Sequence, residues 1–552
     1  MKSRILTTAI IILFASSLFA QKGVCRLTIK ADKQYLLYPV NNNTERRKLE
    51  FKTKELKTYL NIKISSHKDS IDYWAFMDIS RFKGQKIYIS APKNESIEKA
   101  FELIATNDQI ITDKAIYREE LRQQLHFSSR RGWNNDPNGL VFLDGEYHLF
   151  YQHNPYGWSW GNMHWGHAVS QDLLHWKELP DALYPDELGT MFSGSAVIDK
   201  NNTAGWGENT LVAVYTADRS EPRHEVQCIA FSNDNGRTFT KYKGNPVIDS
   251  YKRWESHATR DPKVFWYEPD KRWVMALYEV DGISIYTSDN LKEWNYKSHV
   301  EGFHECPEFF ELAIDGDKNN KKWVMYGASG RYKIGNFDGE NFIDESTKPT
   351  YMGGGMYAAQ TYNNIPEGRR IQIGWGTIST EGMPFNQMMT FPTEMTLKTG
   401  KEGLRIHITP IEEISKLHKK SYKYSDLLIL QADINEVISK PESRLLHIKA
   451  QFKPVGTDPF SIIINGHKLT YNAKSDHKNE TFLPDLSTDL KLEFIVDINS
   501  IEVFINDGQL IQVIAHNSAA NKPGVLFEGK SQTLIKSLEI HELNSIWTSE
   551  NE

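Results

Sequence analysis

Residues 170–176 read SQDLLHW, and a related pattern recurs three more times along the middle of the chain. In each copy a predicted strand leads to an Asp, a tight turn follows, and an aromatic residue then precedes the next strand. The four pairs are Asp172 with Trp176, Asp234 with Phe239, Asp289 with Trp294, and Asp338 with Phe342. Successive aromatic residues are 63, 55 and 48 residues apart. This spacing is typical of four-stranded propeller blades.

A fifth unit is predicted around residues 371–375, which read IQIGW. Many short strands separated by Gly, Asn, Asp and Pro turns extend over residues 121–404, so we expect a five-bladed β-propeller there. A β-sandwich with recurrent turns would produce a similar repeat. The repeat therefore favours a propeller without excluding a sandwich.

The flanking segments are also predicted to be rich in β-strands. Residues 21–120 alternate apolar and polar positions and predict a small N-terminal β-domain, one short helix near residues 95–104, and a linker. Residues 405–552 predict a helical link at 410–417 and then a C-terminal β-sandwich, with a hairpin turn at residues 506–508 (NDG). The expected fold class is thus all-β.

The composition is typical of a soluble globular protein and does not favour nucleic-acid binding. Hydrophobic residues make up 39% and charged residues 25% of the 552 positions, as in soluble globular proteins. The net charge of −6 comes without a basic block, so we expect no nucleic-acid partner. The oligomeric state is left open.

The first 20 residues resemble a secretory signal peptide. Lys2 and Arg4 precede an apolar run that is too short for a membrane span, and cleavage is expected near Ala20. A lipid on Cys25 is the alternative, but residues 22–24 (KGV) do not form a lipid-attachment motif. We therefore predict a soluble protein that is secreted or periplasmic.

Three acidic residues share one local setting. Asp136 lies in WNNDPNG at 133–139, Asp261 in TRDPK at 259–263, and Glu305 in HECPE at 304–308. Each acid is followed by Pro, directly or after one residue, and then by a predicted strand, so each lies where a loop enters a strand. Equivalent strand starts in different blades converge on a propeller axis, and a carboxylate cluster suits glycoside hydrolysis.

These three motifs resemble the signatures of glycoside hydrolase family 32, the invertases, inulinases and levanases. Further matches occur in the same order along the chain: YQ at 151–152, WGNMHWGH at 160–167, FSGS at 192–195, IGW at 373–375 and FPTEMTL at 391–397. The resemblance covers about residues 121–545. It implies a retaining hydrolase that releases fructose from the β-fructans levan or inulin, and also from sucrose, with exo action expected.

The resemblance also implies residue roles. Asp136 would be the nucleophile and Glu305 the acid/base, while Asp261 and Arg260 would bind fructose hydroxyls and stabilise the transition state. The remaining residues implied to line the fructose pocket are Asn135, Gln152, Trp160, Phe192, Ser193 and Trp375. Asn134 and Phe391 depart from the family pattern.

Several alternatives stay open from the sequence. One is an endo-levanase, another is a five-bladed propeller hydrolase acting on arabinan, and a third is a non-catalytic fructan-binding protein. Four histidines lie near the first motif, but their spacing matches no metal-binding motif. We therefore predict no metal and no cofactor. The opposite roles of Asp136 and Glu305 predict opposite pKa shifts, and Arg260 is expected to keep Asp261 charged.

Overall fold

The computed structural model describes residues 17–547 apart from positions 22, 111–115, 346–348, 402, 431–433, 439–440, 455–458, 472–481, 484–488, 517–522 and 530–532. The predicted signal segment lies mostly outside the described residues. Strand Ser17–Gln21 spans the expected cleavage point, and the signal peptide stays a prediction. The chain divides into two compact units, Met1–Thr112 and Asp113–Glu552. Among the described residues, no helix is long and apolar enough to cross a membrane.

Over its described residues, the first unit contains two antiparallel sheets and one α-helix. The larger sheet has the order Ser17–Gln21, Val24–Lys30, Lys86–Pro92, Arg47–Lys52 and Lys57–Ile62. The smaller one has the order Tyr73–Asp78, Tyr35–Val40 and Ala105–Asn107. Helix Glu95–Leu103 begins after Asn94, whose side chain accepts a hydrogen bond from the Ile97 N–H group. Short 3-10 helices occupy Lys68–Ser70 and Ser80–Phe82.

The second unit begins with three propeller sheets. The first blade contains Gly132–Leu143, Glu146–Asn154, His164–Ser170 and Lys177–Leu183. The second contains Thr190–Asp199, Thr210–Ser220, Arg223–Ser232 and Thr240–Lys241. The third contains Thr259–Tyr267, Arg272–Glu279, Gly282–Ser288 and Asn295–Glu301, preceded by the short helix Tyr251–Trp254.

A nine-stranded sheet completes the propeller. Its first part contains Glu308–Ile314, Asp317–Tyr326, Tyr332–Phe337 and Phe342–Asp344. Its second part contains Met356–Thr361, Ile371–Gly376, Met388–Met389, Thr393–Gly400 and Gly403–Pro410, with a 3-10 helix at Pro366–Gly368. The two parts join at one parallel pair, Ile314 with Leu397. This division accommodates the five blades that the sequence predicts.

The circle of blades is closed by a strand from the far end of the propeller sequence. Phe385–Asn386 pairs in parallel with Gly132 and Trp133 of the first blade. The Gly132 N–H group also donates to the Pro384 carbonyl oxygen at 2.8 Å. This closure fixes the strand that carries Asp136 from both sides.

The repeated Asp has a structural explanation. The Asp172 carboxylate accepts hydrogen bonds from the N–H groups of Leu174 and His175, and Asp338 accepts from those of Glu340 and Asn341. Such side-chain turns end one strand and start the next. In the third blade this role falls to Asn290 rather than Asp289, because the Asn290 side chain accepts from the N–H groups of Lys292 and Glu293.

The C-terminal region is a two-sheet sandwich, as predicted. Its six-stranded sheet has the order His418–Leu428, Leu534–Leu543, Leu446–Lys453, Leu490–Val496, Ser500–Ile505 and Leu510–Ala515. Its four-stranded sheet has the order Phe482–Leu483, His467–Tyr471, Phe460–Ile464 and Val525–Gly529. The predicted link at 410–417 is a 3-10 helix at Glu412–Leu417, and a short helix covers Ile434–Val437. Asn506 and Asp507 have positive φ in the predicted hairpin turn.

Candidate active site

The three predicted acids lie at the starts of the first strands of their blades. Asp136 is in strand Gly132–Leu143, Asp261 is the third residue of Thr259–Tyr267, and Glu305 lies just before Glu308–Ile314. The first strands of the first and third blades both pack against Thr190–Asp199, the first strand of the second. The propeller therefore brings together residues that are up to 169 positions apart.

Asp136 is held by neutral donors. Its Oδ1 atom accepts from Asn135 Nδ2 at 3.0 Å, and its Oδ2 atom accepts from Ser193 Oγ at 2.9 Å. Asn135 is itself positioned by Trp133, whose Nε1–H donates to Asn135 Oδ1 at 2.8 Å. This network orients the carboxylate without neutralising it by a direct ion pair.

Cys306 links two of the carboxyl groups. Its Sγ atom lies 3.6 Å from Asp136 Oδ2 and 3.5 Å from Asp261 Oδ2. Its backbone N–H group donates to Asp261 Oδ2 at 3.0 Å. Asp136 and Asp261 therefore face the same buried thiol from the first and third blades.

Glu305 is held by an arginine and a tyrosine. Its Oε1 atom accepts from Arg260 Nη2 at 2.7 Å and from Arg260 Nε at 3.2 Å. Its Oε2 atom accepts from Tyr357 Oη at 3.1 Å. The side chain keeps 26% of its surface exposed, so it can reach a bound molecule.

Arg260 also contacts a second carboxylate that the sequence analysis missed. Its Nη1 atom lies 3.1 Å from Glu225 Oε2, and Glu225 is buried. Glu225 accepts further from the Thr259 N–H group at 2.9 Å and from Arg223 Nη2 at 2.6 Å. Glu225 stands directly before the mostly apolar run VQCIAF at 226–231, and a carboxylate at the edge of such a run is a sequence signal that could have indicated this role.

The backbone at the site is strained. Asp261, Glu305 and Cys306 have φ angles of 64°, 46° and 43°. Non-glycine residues rarely adopt this left-handed region, and such strain concentrates at functional sites. At these three residues the backbone departs from extended strand geometry, and this is where the carboxyl groups lie close together.

The pKa values differ from the sequence-based expectation. Burial raises the pKa of Asp136, and the charge of Glu305 raises it further, while hydrogen bonds from Asn135 and Ser193 lower it. Burial raises the pKa of Asp261 to about 7 in spite of the opposing charge of Arg260. This contradicts the expectation that Arg260 keeps Asp261 charged, because desolvation outweighs the guanidinium.

Aromatic side chains border the carboxyl groups. Trp375 contacts the edges of Trp133 and Tyr357 at centroid distances of 5.9 and 6.3 Å, and its Nε1–H donates to Gln387. Trp160 meets Phe192 edge to face at 5.9 Å and is 51% exposed. An exposed tryptophan beside a polar cluster offers a flat apolar face to a ligand.

Gln152 and Asn134 have contacts with the protein itself. Gln152 is buried, and its Nε2 atom donates to the Met191 carbonyl oxygen at 2.9 Å, next to Phe192 and Ser193. The Asn134 Oδ1 atom accepts from Ser129 Oγ at 3.4 Å. Gln152 thus supports the strand that carries Ser193, and Asn134 belongs to the packing behind Asp136.

The histidines near the first motif lie in separate networks. His153 Nδ1 is 2.7 Å from Asp181, and His167 Nε2 is 3.0 Å from His148. His126 contacts Asp497 and Glu502 of the sandwich at 2.7 and 3.2 Å. Of the groups that could hold a metal ion among the described residues, none includes these side chains.

A propeller whose first strands bring several carboxyl groups to one arginine has the architecture and chemistry of a glycoside hydrolase. Comparison with known proteins specifies the family. Residues 126–409 match the model described as "Glycosyl hydrolases family 32 N-terminal domain". The chain belongs to glycoside hydrolase family 32.

Relatives and solved structures agree with this assignment. A levanase from Bacillus subtilis is 42% identical over 496 residues, covering 79% of this chain and 72% of that protein. An extracellular exo-inulinase from Aspergillus niger is 30% identical over 78% of this chain and 96% of its own. The crystal structure of exo-inulinase from Aspergillus awamori has a TM-score of 0.68 at 30% identity, covering 78% of this chain and all of that one. A Schwanniomyces occidentalis fructofuranosidase complexed with fructose also has a TM-score of 0.68, at 27% identity, with coverages of 78% and 100%.

Proposed function

We propose that this enzyme hydrolyses β-fructans such as levan and inulin from their chain ends, releasing fructose with retention of configuration. The observation that carries the proposal is the convergence of Asp136, Asp261 and Glu305 from three blades around Arg260 and Cys306. The levanase and exo-inulinase relatives support fructans as the substrate class.

The proposed reaction uses the roles that the family motifs imply for the two carboxyl groups. Asp136 attacks the anomeric carbon, while Glu305 gives its proton to the glycosidic oxygen and the leaving chain departs. Glu305, now ionised, takes a proton from water, and that water releases fructose from Asp136. Asp261 and Arg260 bind hydroxyl groups of the fructose ring.

Exo action is supported by the aromatic residues near Asp136 and by the burial of the polar groups. Trp375 packs on Trp133 and Trp160 packs on Phe192, while Asp261 is buried and the Arg260 side chain is 12% exposed. A terminal fructose can satisfy these groups with free hydroxyls, whereas an internal unit is linked through one of them. Leaving buried polar groups unpaired would cost roughly 1–3 kcal/mol each.

A time course on levan, inulin and sucrose tests this proposal. Fructose as the sole early product from both polymers is expected, and chromatography would detect it directly. Early oligosaccharides of mixed length would mean that the enzyme cleaves internally. Turnover of arabinan, or fructan binding without any product, would contradict the proposed substrate and the proposed chemistry respectively.

Stereochemistry needs a second measurement because free fructose equilibrates between anomers. In the presence of methanol, a retaining enzyme transfers fructose from its covalent intermediate to give methyl β-fructofuranoside. Nuclear magnetic resonance of that product is expected to show the β anomer. Absence of any methyl fructoside at high methanol would contradict the covalent role of Asp136.

We also propose that the mature protein starts near Gln21 and acts outside the cytoplasm, with the fructan as its partner. The apolar run before Ala20 supports this, and the Aspergillus niger relative is described as extracellular. Mass spectrometry of the protein from its native host is expected to find an N-terminus near Gln21. An intact Met1, or a lipid on Cys25, would contradict it.

A further inference from the structure

Three histidines lie together on the C-terminal sandwich, away from the carboxyl cluster. His418 begins strand His418–Leu428, His447 is in Leu446–Lys453, and His541 is in Leu534–Leu543. One ligand atom from each lies within 4.8 Å of the others. The sequence analysis missed this group because its members are 29 and 94 residues apart and meet only through strand pairing.

The sheet register places the three imidazoles on one face. His447 and His541 are direct partners in neighbouring antiparallel strands, and the His418 ring stacks on that of His541 at 4.0 Å. The residues that flank His447 in its strand, Leu446 and Ile448, point into the sandwich core. Because side chains alternate along a strand, the histidines lie on the opposite face of this sheet.

Hydrogen bonds set the orientation of the rings. His447 Nε2 is 2.7 Å from Glu493 Oε1, and its Nδ1 atom is 3.0 Å from His418 Nε2. His541 Nδ1 is 2.7 Å from Ser421 Oγ. Metal-bound histidines characteristically hold their second nitrogen in this way, on a carboxylate or a hydroxyl group. The arrangement leaves His418 Nε2, His447 Nδ1 and His541 Nε2 as the candidate ligand atoms.

The ligand chemistry and the surroundings of the cluster suit a metal ion. Neutral imidazole is the form that binds metals. Glu539 Oε2 lies 3.4 Å from His541 Nε2 and offers a nearby negative charge.

We propose that His418, His447 and His541 bind a divalent transition-metal ion of the zinc class, which ties three adjacent strands of the sandwich together. Imidazole nitrogen suits Zn²⁺, Cu²⁺ and Ni²⁺, whereas Mg²⁺ and Ca²⁺ require oxygen ligands. Three protein ligands leave a fourth position for water. The site is separate from the hydrolytic carboxyl groups, so the ion has a structural role and the prediction that hydrolysis needs no metal is unaffected.

The first test is a calorimetric titration of the full chain with Zn²⁺ after treatment with a chelator. One equivalent of Zn²⁺ is expected to bind with a dissociation constant below about 1 μM, and Mg²⁺ is expected not to bind. The unfolding midpoint is expected to rise with Zn²⁺ concentration, since a ligand that binds the folded state stabilises it. Binding weaker than about 100 μM, or at several equivalent sites, would overturn the proposal.

Variants locate the site. His418 is partly exposed at a strand start, so the His418→Gln variant should fold. This variant is expected to bind Zn²⁺ at least tenfold more weakly. Glu493→Gln removes the carboxylate behind His447 and is expected to weaken binding about 10–100-fold. His467→Gln, a histidine of the other sandwich sheet, is the matched control and should leave the affinity unchanged. Unchanged affinity in His418→Gln, with one equivalent still bound, would place the ion elsewhere and overturn the proposal.

Discussion

Asp136 and Glu305 differ in the partners that hold them, and the difference suits different chemical tasks. Asp136 accepts hydrogen bonds from two neutral groups, which fix its direction and leave its charge for attack on carbon. Glu305 contacts Arg260 on one oxygen and Tyr357 on the other, and it stays partly exposed. A group that must exchange protons with the substrate and then with water needs that access.

Substitution separates these two roles. Asp136→Asn is expected to lower kcat on the order of 10³-fold or more on every substrate, because no nucleophile remains. Glu305→Gln is expected to lower kcat on levan by as much as Asp136→Asn does. On an aryl fructoside, whose leaving group needs no proton, it is expected to retain more activity than Asp136→Asn. Steady-state kinetics on both substrates would measure the difference.

The control is Asp144→Asn, an exposed aspartate in a turn of the same blade, which should leave turnover unchanged. Equal losses of the two active-site variants on both substrates would contradict the assignment of Glu305 as the acid.

The pH dependence of Glu305→Gln gives a second prediction. In the proposed reaction Glu305 is protonated while Asp136 is ionised, so Glu305→Gln replaces one neutral group with another at the pH where Asp136 titrates. Since Asp136 acts in its ionised form, activity is lost as the pH falls through its pKa. The acidic limb of kcat/KM on an aryl fructoside should therefore stay in place, and the basic limb, which reports loss of the Glu305 proton, should disappear.

Glu311→Gln is the matched control for this measurement. Glu311 is an exposed carboxylate in the neighbouring strand, where it pairs with Lys321, and its loss should leave the profile unchanged. A basic limb that persists in Glu305→Gln would contradict the assignment of Glu305 as the acid.

At the scale of elements, turns and strand starts were predictable because their chemistry is local. The Asp-aromatic repeat marks the last strand of each of the first four blades, and the Pro after each acid lies within or just before the first half of a strand. The third blade shows the limit of this reasoning, because Asn290 caps the turn in place of the neighbouring Asp289. The sequence alone does not show which of two adjacent polar residues caps a turn, because that depends on the backbone geometry.

Two glycines provide a matched test of how the hairpins fit the molecule. Gly508 and Gly316 both have φ of +82° in hairpin turns, but a Cβ atom on Gly508 would lie 1.8 Å from the Ile408 carbonyl oxygen. A Cβ atom on Gly316 would meet nothing within 4 Å. Gly316→Ala should therefore cost only the conformational strain, about 1–2 kcal/mol. Gly508→Ala should cost about 1–3 kcal/mol more, because the backbone must move.

Denaturant unfolding of both glycine variants would measure these costs. The larger loss in Gly508→Ala would show that the turn at residues 506–508 packs tightly on the last propeller strand, Gly403–Pro410. Similar losses in the two variants would contradict this and leave strain as the common cause.

At the scale of the whole molecule, long-range contacts were the part that sequence could not predict. Glu225 and Tyr357 reach Arg260 and Glu305 from other strands and lie in no recognisable motif.

The contacts between the propeller and the sandwich were also not predictable from the sequence. Asp497 accepts from the N–H groups of Gln124 and Leu125 across more than 370 residues of sequence. The Phe391 side chain lies at this junction, where its ring meets that of His126 edge to face at 6.2 Å.

His126 is the charged centre of this junction, and its removal gives the last prediction. It lies fully buried between Asp497 and Glu502, and these two carboxylates raise the pKa of His126 to about 9 against the opposing effect of burial. A folded-state pKa above the ordinary value of 6.5 means that the stabilisation is complete below pH 6.5 and is lost as the pH rises through 9.

His126→Gln should lower the free energy of unfolding by about 3 kcal/mol at pH 6, because it leaves two buried carboxylates without their cation. Between pH 7 and pH 9.5 the gap between the two proteins should narrow, since the native histidine loses its proton. Thermal unfolding at several pH values would measure this, with His175→Gln, a more exposed histidine beside Asp172, as the control. A gap that stays constant or widens with pH would mean that His126 is neutral in the folded protein.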